Sequence, residues 1–122
     1  MLFDSNLIIY AAQPEHASLR NFIAREVPCV SVVSKVETLG YHALEKEEKR
    51  LLAAFFDAAD VLPVSDSTVS AAIRLRQKRR MSLGDALIAG TALSYGLELA
   101  TRNVEDFLWI DELVVFDPFS SS

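Results

Sequence analysis

The sequence predicts an α/β fold in which a parallel sheet is covered by helices on both faces. Three observations carry this. Short apolar strand candidates alternate with helical segments along the whole chain, and that alternation marks a sheet whose two faces are both packed. The strand candidates are short and apolar, Met1–Phe3 reading as a buried strand. The composition, 51% hydrophobic with mean hydropathy +0.22, supplies one core and is too apolar for a disordered chain.

Met1–Phe3 is an apolar run ending at Asp4 and reads as a buried strand. Ser5–Ala12 has helical character, interrupted by Pro14. A second helix is expected over His16–Glu26, stopped by Pro28, and the β-branched stretch Cys29–Val33 follows as a strand. Lys35–Leu44 and Glu47–Ala58 carry apolar residues at helical spacing, and Val61–Val64 is a short strand. Asp66–Arg79 is an amphipathic helix capped by Ser65 or Asp66. Leu83–Tyr95 is nearly all apolar and should lie buried, with Gly96 placed to cap its end. Leu97–Thr101 and Leu113–Phe116 complete the strands, Pro118 acts as a stop, and Ser120–Ser122 reads as a frayed tail. No repeat, linker or low-complexity stretch divides residues 1–122, whose length suits a single domain.

Several classes are excluded. No apolar run approaches the roughly 20 residues of a membrane span. The start, MetLeuPheAsp, lacks the basic residues and cleavage site of a signal peptide. Cys29, the single cysteine, allows neither an internal disulfide nor a cysteine metal site, so a reducing cytoplasm is expected. His16 and His42 have no second histidine at ligand spacing and suit surface or helix-end roles. There is no nucleophile elbow, phosphate-binding Walker loop or dinucleotide fingerprint. The net charge of −5 argues against tight non-specific nucleic-acid binding driven by overall charge. It leaves room for a nucleic-acid substrate, because carboxylates awaiting cations contribute negative charge. Positive charge is concentrated at Arg74, Arg76, Lys78, Arg79 and Arg80. That stretch is either a solvated helix face or a patch that steers phosphates or an acidic partner.

Parallel sheets bind ligands beyond the carboxyl ends of their strands. Asp4 lies just past the first strand, Asn103 and Asp106 follow the fourth, and Glu37 and Asp85 occupy early helical turns. Each has an ordinary explanation: Asp4 as a helix cap, Glu37 and Asp85 as capping-box acids after Ser34 and Ser82 (less so for Glu37, since Ser31 offers an earlier helix start), Asp106 as a surface acid, Asn103 as a turn residue. None of these explains why all should face one edge of the sheet. Neighbouring carboxylates raise one another's pKa, and a divalent cation relieves the repulsion. A helix N-terminus favours the ionised form of Asp85. Oxygen-only ligation suits Mg²⁺ or Mn²⁺ rather than Zn²⁺.

The order LFDSNLIIY, SVVSKVETLG, SLGDALIAGTAL, LATRNVEDF resembles the PIN-domain ribonucleases, in particular the VapC-like toxins of prokaryotic toxin–antitoxin pairs. The likeness covers nearly the whole chain and is most specific in the DALIA and TRNVEDF stretches. It implies a three-layer α/β/α sandwich and an endoribonuclease that hydrolyses RNA phosphodiester bonds with Mg²⁺ or Mn²⁺. Asp4, Glu37 and Asp85 match the family's first three acids. Asp106 and Asn103 both qualify as the fourth, with Asp106 preferred as the charged ligand. Asn6 and Thr101 match polar positions beside the site. Arg74, Arg76, Lys78, Arg79, Arg80 and Arg102 are candidates for RNA or antitoxin contact. The resemblance further implies a homodimer and a cognate antitoxin that carries any DNA contact. Two other readings fail on the residues. A haloacid-dehalogenase-like phosphatase needs an acid where Asn6 stands, and a receiver domain needs a strand-end Asp where Asp57 and Asp60 lie in or after a helix. A PIN-like module that binds without turnover is the alternative.

Overall fold

The computed structural model describes residues 1–118 except Pro14 and Val27, so the interruption expected at Pro14 and the tail at 120–122 lie outside the described residues. In chain order the elements are β1 (Leu2–Phe3), α1 (Ser5–Ala11), α2 (Ala17–Arg25), β2 (Cys29–Ser31), α3 (Val32–Leu39), α4 (Lys46–Ala58), β3 (Asp60–Leu62), α5 (Asp66–Lys78), α6 (Leu83–Tyr95), β4 (Leu99–Ala100) and β5 (Val115–Phe116), with a 3-10 turn at Val104–Asp106. The five strands form one sheet in the order β3-β2-β1-β4-β5, and every pairing is parallel. This is the three-layer α/β/α architecture.

The layering follows from the two-residue period of the central strands. Phe3 and Ala100 point to one face, where they meet Leu7, Ile8, Leu19, Ile23, Leu52 and Phe56 of α1, α2 and α4. Leu2 and Leu99 point to the other, where they meet Leu75, Ile88, Ala89 and Ala92 of α5 and α6 and the 107–113 segment through Phe107 and Ile110. Each fully buried Leu or Phe contributes about 1.5–3 kcal/mol.

α6 is the buried helix its composition predicts: Ala86, Ile88, Ala89, Gly90, Thr91 and Ala92 are all inaccessible. Its small residues let α5 approach closely. A Cβ on Gly90 would stand 2.8 Å from the Thr68 carbonyl oxygen. Thr68 and Ser94 join the far ends of the two helices through their hydroxyls at 2.9 Å. α6 ends at Gly96, whose φ of +65° is the left-handed cap that glycine adopts without strain.

The strands expected over Val61–Val64, Leu97–Thr101 and Leu113–Phe116 are observed as Asp60–Leu62, Leu99–Ala100 and Val115–Phe116, and the β2–α3 region differs most. The strand expected over Cys29–Val33 stops at Ser31, because the Ser31 hydroxyl accepts the Val33 N–H at 3.0 Å and starts α3 at Val32. A cap thus overrides the β preference of Val32 and Val33. The helix expected over Lys35–Leu44 accordingly runs earlier and ends at Leu39, with Gly40 as its C-cap. Among the described residues no helix is long and apolar enough to cross a membrane.

Candidate active site

The strand order makes a topological switch point. From β1 the chain builds outward through β2 and β3 on one side, then returns to build β4 and β5 on the other. The crevice between the carboxyl ends of β1 and β4 is where such sheets bind ligands, and the acids converge there.

Asp4 forms the floor. It extends the sheet by one rung, its N–H donating to the Ala100 carbonyl at 2.9 Å. It also caps α1, with Oδ1 accepting the Ser5 N–H at 2.8 Å. Its Oδ2 accepts the Thr101 hydroxyl at 2.7 Å across the switch point. The residue is only 3% exposed. Burial pushes the Asp4 pKa up to about 6; the Thr101 and Ser5 hydrogen bonds oppose the rise, and the charges of Asp85 and Glu37 add to it.

Glu37 comes from the second turn of α3. Since Ser31 is the true cap, Ser34 lies inside the helix, buried, and Ser34 with Glu37 is not a capping box. Instead the Ser5 hydroxyl sits 2.7 Å from Glu37 Oε1 and 2.9 Å from Ser34 Oγ, joining α1 to α3 beside Asp4. The other Glu37 oxygen, Oε2, lies against Gly84, where a Cβ would come within 2.5 Å of it. The glycine therefore lets α3 deliver its carboxylate to the first turn of α6.

Asp85 belongs to that same turn. Its N–H donates to Ser82 Oγ at 3.1 Å, so Ser82 is the cap. The Asp85 carboxyl is half-buried, and its pKa is raised by desolvation, then by the charge of Asp106, against the Ser82 hydrogen bond, with Glu37 adding to the rise. Asp106 closes the row from the 3-10 turn, whose carbonyl at that residue accepts the Trp109 indole N–H at 3.1 Å. Asp4 is buried, Asp85 intermediate, and Glu37 and Asp106 exposed, so the acids run from floor to rim. Among the described residues no lysine, arginine or histidine pairs with any of the four.

A hard divalent cation fits the chemistry of this donor set, which is all oxygen, has no cationic partner among the described residues, and includes two carboxyls, Asp4 and Asp85, whose charged forms desolvation disfavours. The described residues do not grip an ion as they stand: no three acids, histidines or cysteines are gathered tightly enough. Glu37 and Asp106 are exposed at the rim, with Glu37 held there by the Ser5 hydroxyl.

The PIN domain family model matches residues 1–112. The chain belongs to the PIN domain family. In fold this PIN domain is similar to a chain of the DNA-bound VapBC structure from Salmonella typhimurium, with 20% identity over 95% of this chain and 96% of that one and a TM-score of 0.81. It is also similar to a chain of VapBC2 from Rickettsia felis bound to a promoter DNA fragment, at 19% identity over 95% and 96% with a TM-score of 0.80. A toxin–antitoxin complex from Klebsiella pneumoniae matches at 24% identity over 93% and 94%, with a TM-score of 0.72. No curated protein matches significantly.

The remaining sequence candidates of this PIN domain divide. Thr101 touches Asp4, and the Asn103 N–H donates to the same Thr101 hydroxyl at 3.0 Å, while the Asn103 side chain is exposed and caps nothing. The charge of Asp106 acts on Asp85. Asn6 is exposed on α1 and makes no hydrogen bond to the four acids. Arg102 lies over the Tyr10 ring, 4.3 Å from its centroid, and Arg79 over Trp109 at 5.6 Å. The connecting roles of Ser5, Ser34, Gly84 and Trp109 were not apparent from sequence. Ser5 alone carried a local sign, a polar residue directly after Asp4 at the head of an apolar helix.

Proposed function

We propose that this PIN domain is a Mg²⁺- or Mn²⁺-dependent endoribonuclease and the toxin of a toxin–antitoxin pair. The observation that carries the proposal is the row of four uncompensated carboxylates, brought by four separate elements to the switch point of a parallel sheet. Asp4, Glu37, Asp85 and Asp106 would hold one or two ions, and Asn103 could add a neutral oxygen. A bound ion supplies Lewis-acid activation of water and offsets charge growing on the phosphate.

The chain's own groups do the rest. The Thr101 and Ser5 bonds hold both Asp4 oxygens in fixed directions. Ser5 holds one oxygen of Glu37, and that carboxylate would serve as the base that takes the proton of the attacking water. That water forms the new bond to phosphorus while the bond to the leaving ribose oxygen breaks in line.

The antitoxin reading is supported by the solved structures of similar fold, which are toxin–antitoxin complexes, two of them with DNA. By analogy the partner is a cognate antitoxin that supplies the DNA contact, and the toxin pairs as a homodimer. The spread placement of the acids favours one second reading, a PIN-like module that binds without turnover. Purified antitoxin-free protein, incubated with structured and unstructured RNA plus Mg²⁺ or Mn²⁺, separates the two. Cleavage abolished by both EDTA and Asp85→Asn supports the nuclease; well-folded protein that cuts no RNA supports the binding module.

A further inference from the structure

We infer that the loop joining α5 to α6 is a binding subsite for the phosphate backbone of single-stranded RNA, adjoining the Asp85–Asp106 side of the acidic row. The inference rests on the ribonuclease reading for the identity of the polyanion.

Arg76, Gln77, Lys78, Arg79, Arg80 and Met81 line an open depression of about 510 Å³. Arg74 and residues 76–80 are all exposed. Among the described residues none of the five cations pairs with a carboxylate, although the chain carries 17 acids and only 12 Lys and Arg. Such a stretch presents a locally positive potential that attracts an external anion.

Its place in the fold selects the anion. α5 and α6 are antiparallel, as the Thr68–Ser94 bond at their far ends requires. The loop therefore sits at the near end, where Ser82 caps α6 and Asp85 occupies the first turn. Arg79 lies over Trp109, and Trp109 holds the carbonyl of Asp106, so the basic loop is tied to the turn that bears the rim acid. Positive and negative sites thus stand on linked segments, with no ion pair between them among the described residues. A ligand with repeating phosphates fits both, one phosphate at the acids through a cation and its neighbours on the loop. Arg102, the other basic candidate, is committed over Tyr10.

The test is binding of a fluorescent single-stranded oligoribonucleotide to the full chain in EDTA, where no cleavage occurs, by anisotropy across a salt series. A second readout is hydrolysis of a small chromogenic phosphodiester with Mn²⁺, which needs the acids and not the loop. We expect Arg76→Ser/Lys78→Ser/Arg80→Ser, with Arg79 retained on Trp109, to weaken RNA binding by about tenfold or more. Its log–log salt slope should fall by about 2, at about 0.7 per lost phosphate contact. Small-diester hydrolysis should match the parent, which also shows the variant to be folded. Unchanged RNA affinity and slope in the variant would overturn the subsite, as would a parent that binds no RNA or prefers an acidic peptide to RNA. The ribonuclease reading fails separately, through absent Mn²⁺-dependent hydrolysis by the parent.

Discussion

Asp4 is the residue on which the site turns, because it is the one acid shielded from water. A carboxyl whose folded pKa is about 6, against an ordinary 3.8, binds its proton more tightly in the folded state. The contribution of Asp4 to the stability of the metal-free protein is therefore fully present at and below the ordinary value and is lost as pH rises through the window from 3.8 to about 6. Two pH units correspond to about 3 kcal/mol at most. Asp4→Asn removes the titration, so thermal melts of metal-free protein should lose stability across that window in the parent and stay flatter in the variant; equal slopes would show that Asp4 is not the group responsible. Thr101→Val deletes a hydrogen bond that favours the charged form and should push the Asp4 pKa higher still. The acid limb of the cleavage–pH profile should then move to higher pH, and Thr101→Ser should restore it. At this scale the sequence was informative about the acids and silent about their supports. Asp4, Glu37, Asp85 and Asp106 stand out from other first-turn acids such as Glu47, Glu48 and Asp66 only through the family resemblance. Ser5, which reaches Glu37 across 32 positions, is invisible because its partner is set by how α1 meets α3.

At the scale of elements, the site depends on how closely helices approach. Gly84 lets Glu37 rest on the first turn of α6, and a Cβ there would meet only the end of a flexible side chain. Gly84→Ala should therefore fold normally, with a melting temperature equal to or above the parent's since alanine is the better helix former, while cleavage falls because the Glu37 carboxylate is displaced. A melt lowered along with activity would mean the contact is structural. Gly90→Ala is the opposite case. Its Cβ would press on backbone, 2.8 Å from the Thr68 carbonyl and 3.2 Å from the Ala72 nitrogen, with no flexible group to yield. Overpacking at such a crossing costs about 1–3 kcal/mol, to be read from chemical denaturation. The strand–helix alternation was legible because each element carries its own period and caps. The β2–α3 boundary was not, because Val32 and Val33 read as strand and the Ser31 cap decides otherwise.

For the whole molecule, charge is unevenly placed: among the described residues Asp4, Glu37, Asp85 and Asp106 carry no cationic partner, and neither do the cations of the α5–α6 loop carry an acidic one. That placement was hidden in a net charge of −5 and became apparent only once the strand order was known. It makes the acidic row the place where a cation should act on the fold as well as on the chemistry. The most direct measurement is calorimetric titration of Mn²⁺ into metal-free protein, near neutral pH and again below the Asp4 pKa of about 6, for the parent and Asp4→Asn. One or two ions bound per chain by the parent, weakened at the lower pH and lost in Asp4→Asn, is the predicted result. Mn²⁺ binding of equal strength in the two proteins at both pH values would place the cation elsewhere and contradict a carboxylate metal site at this switch point.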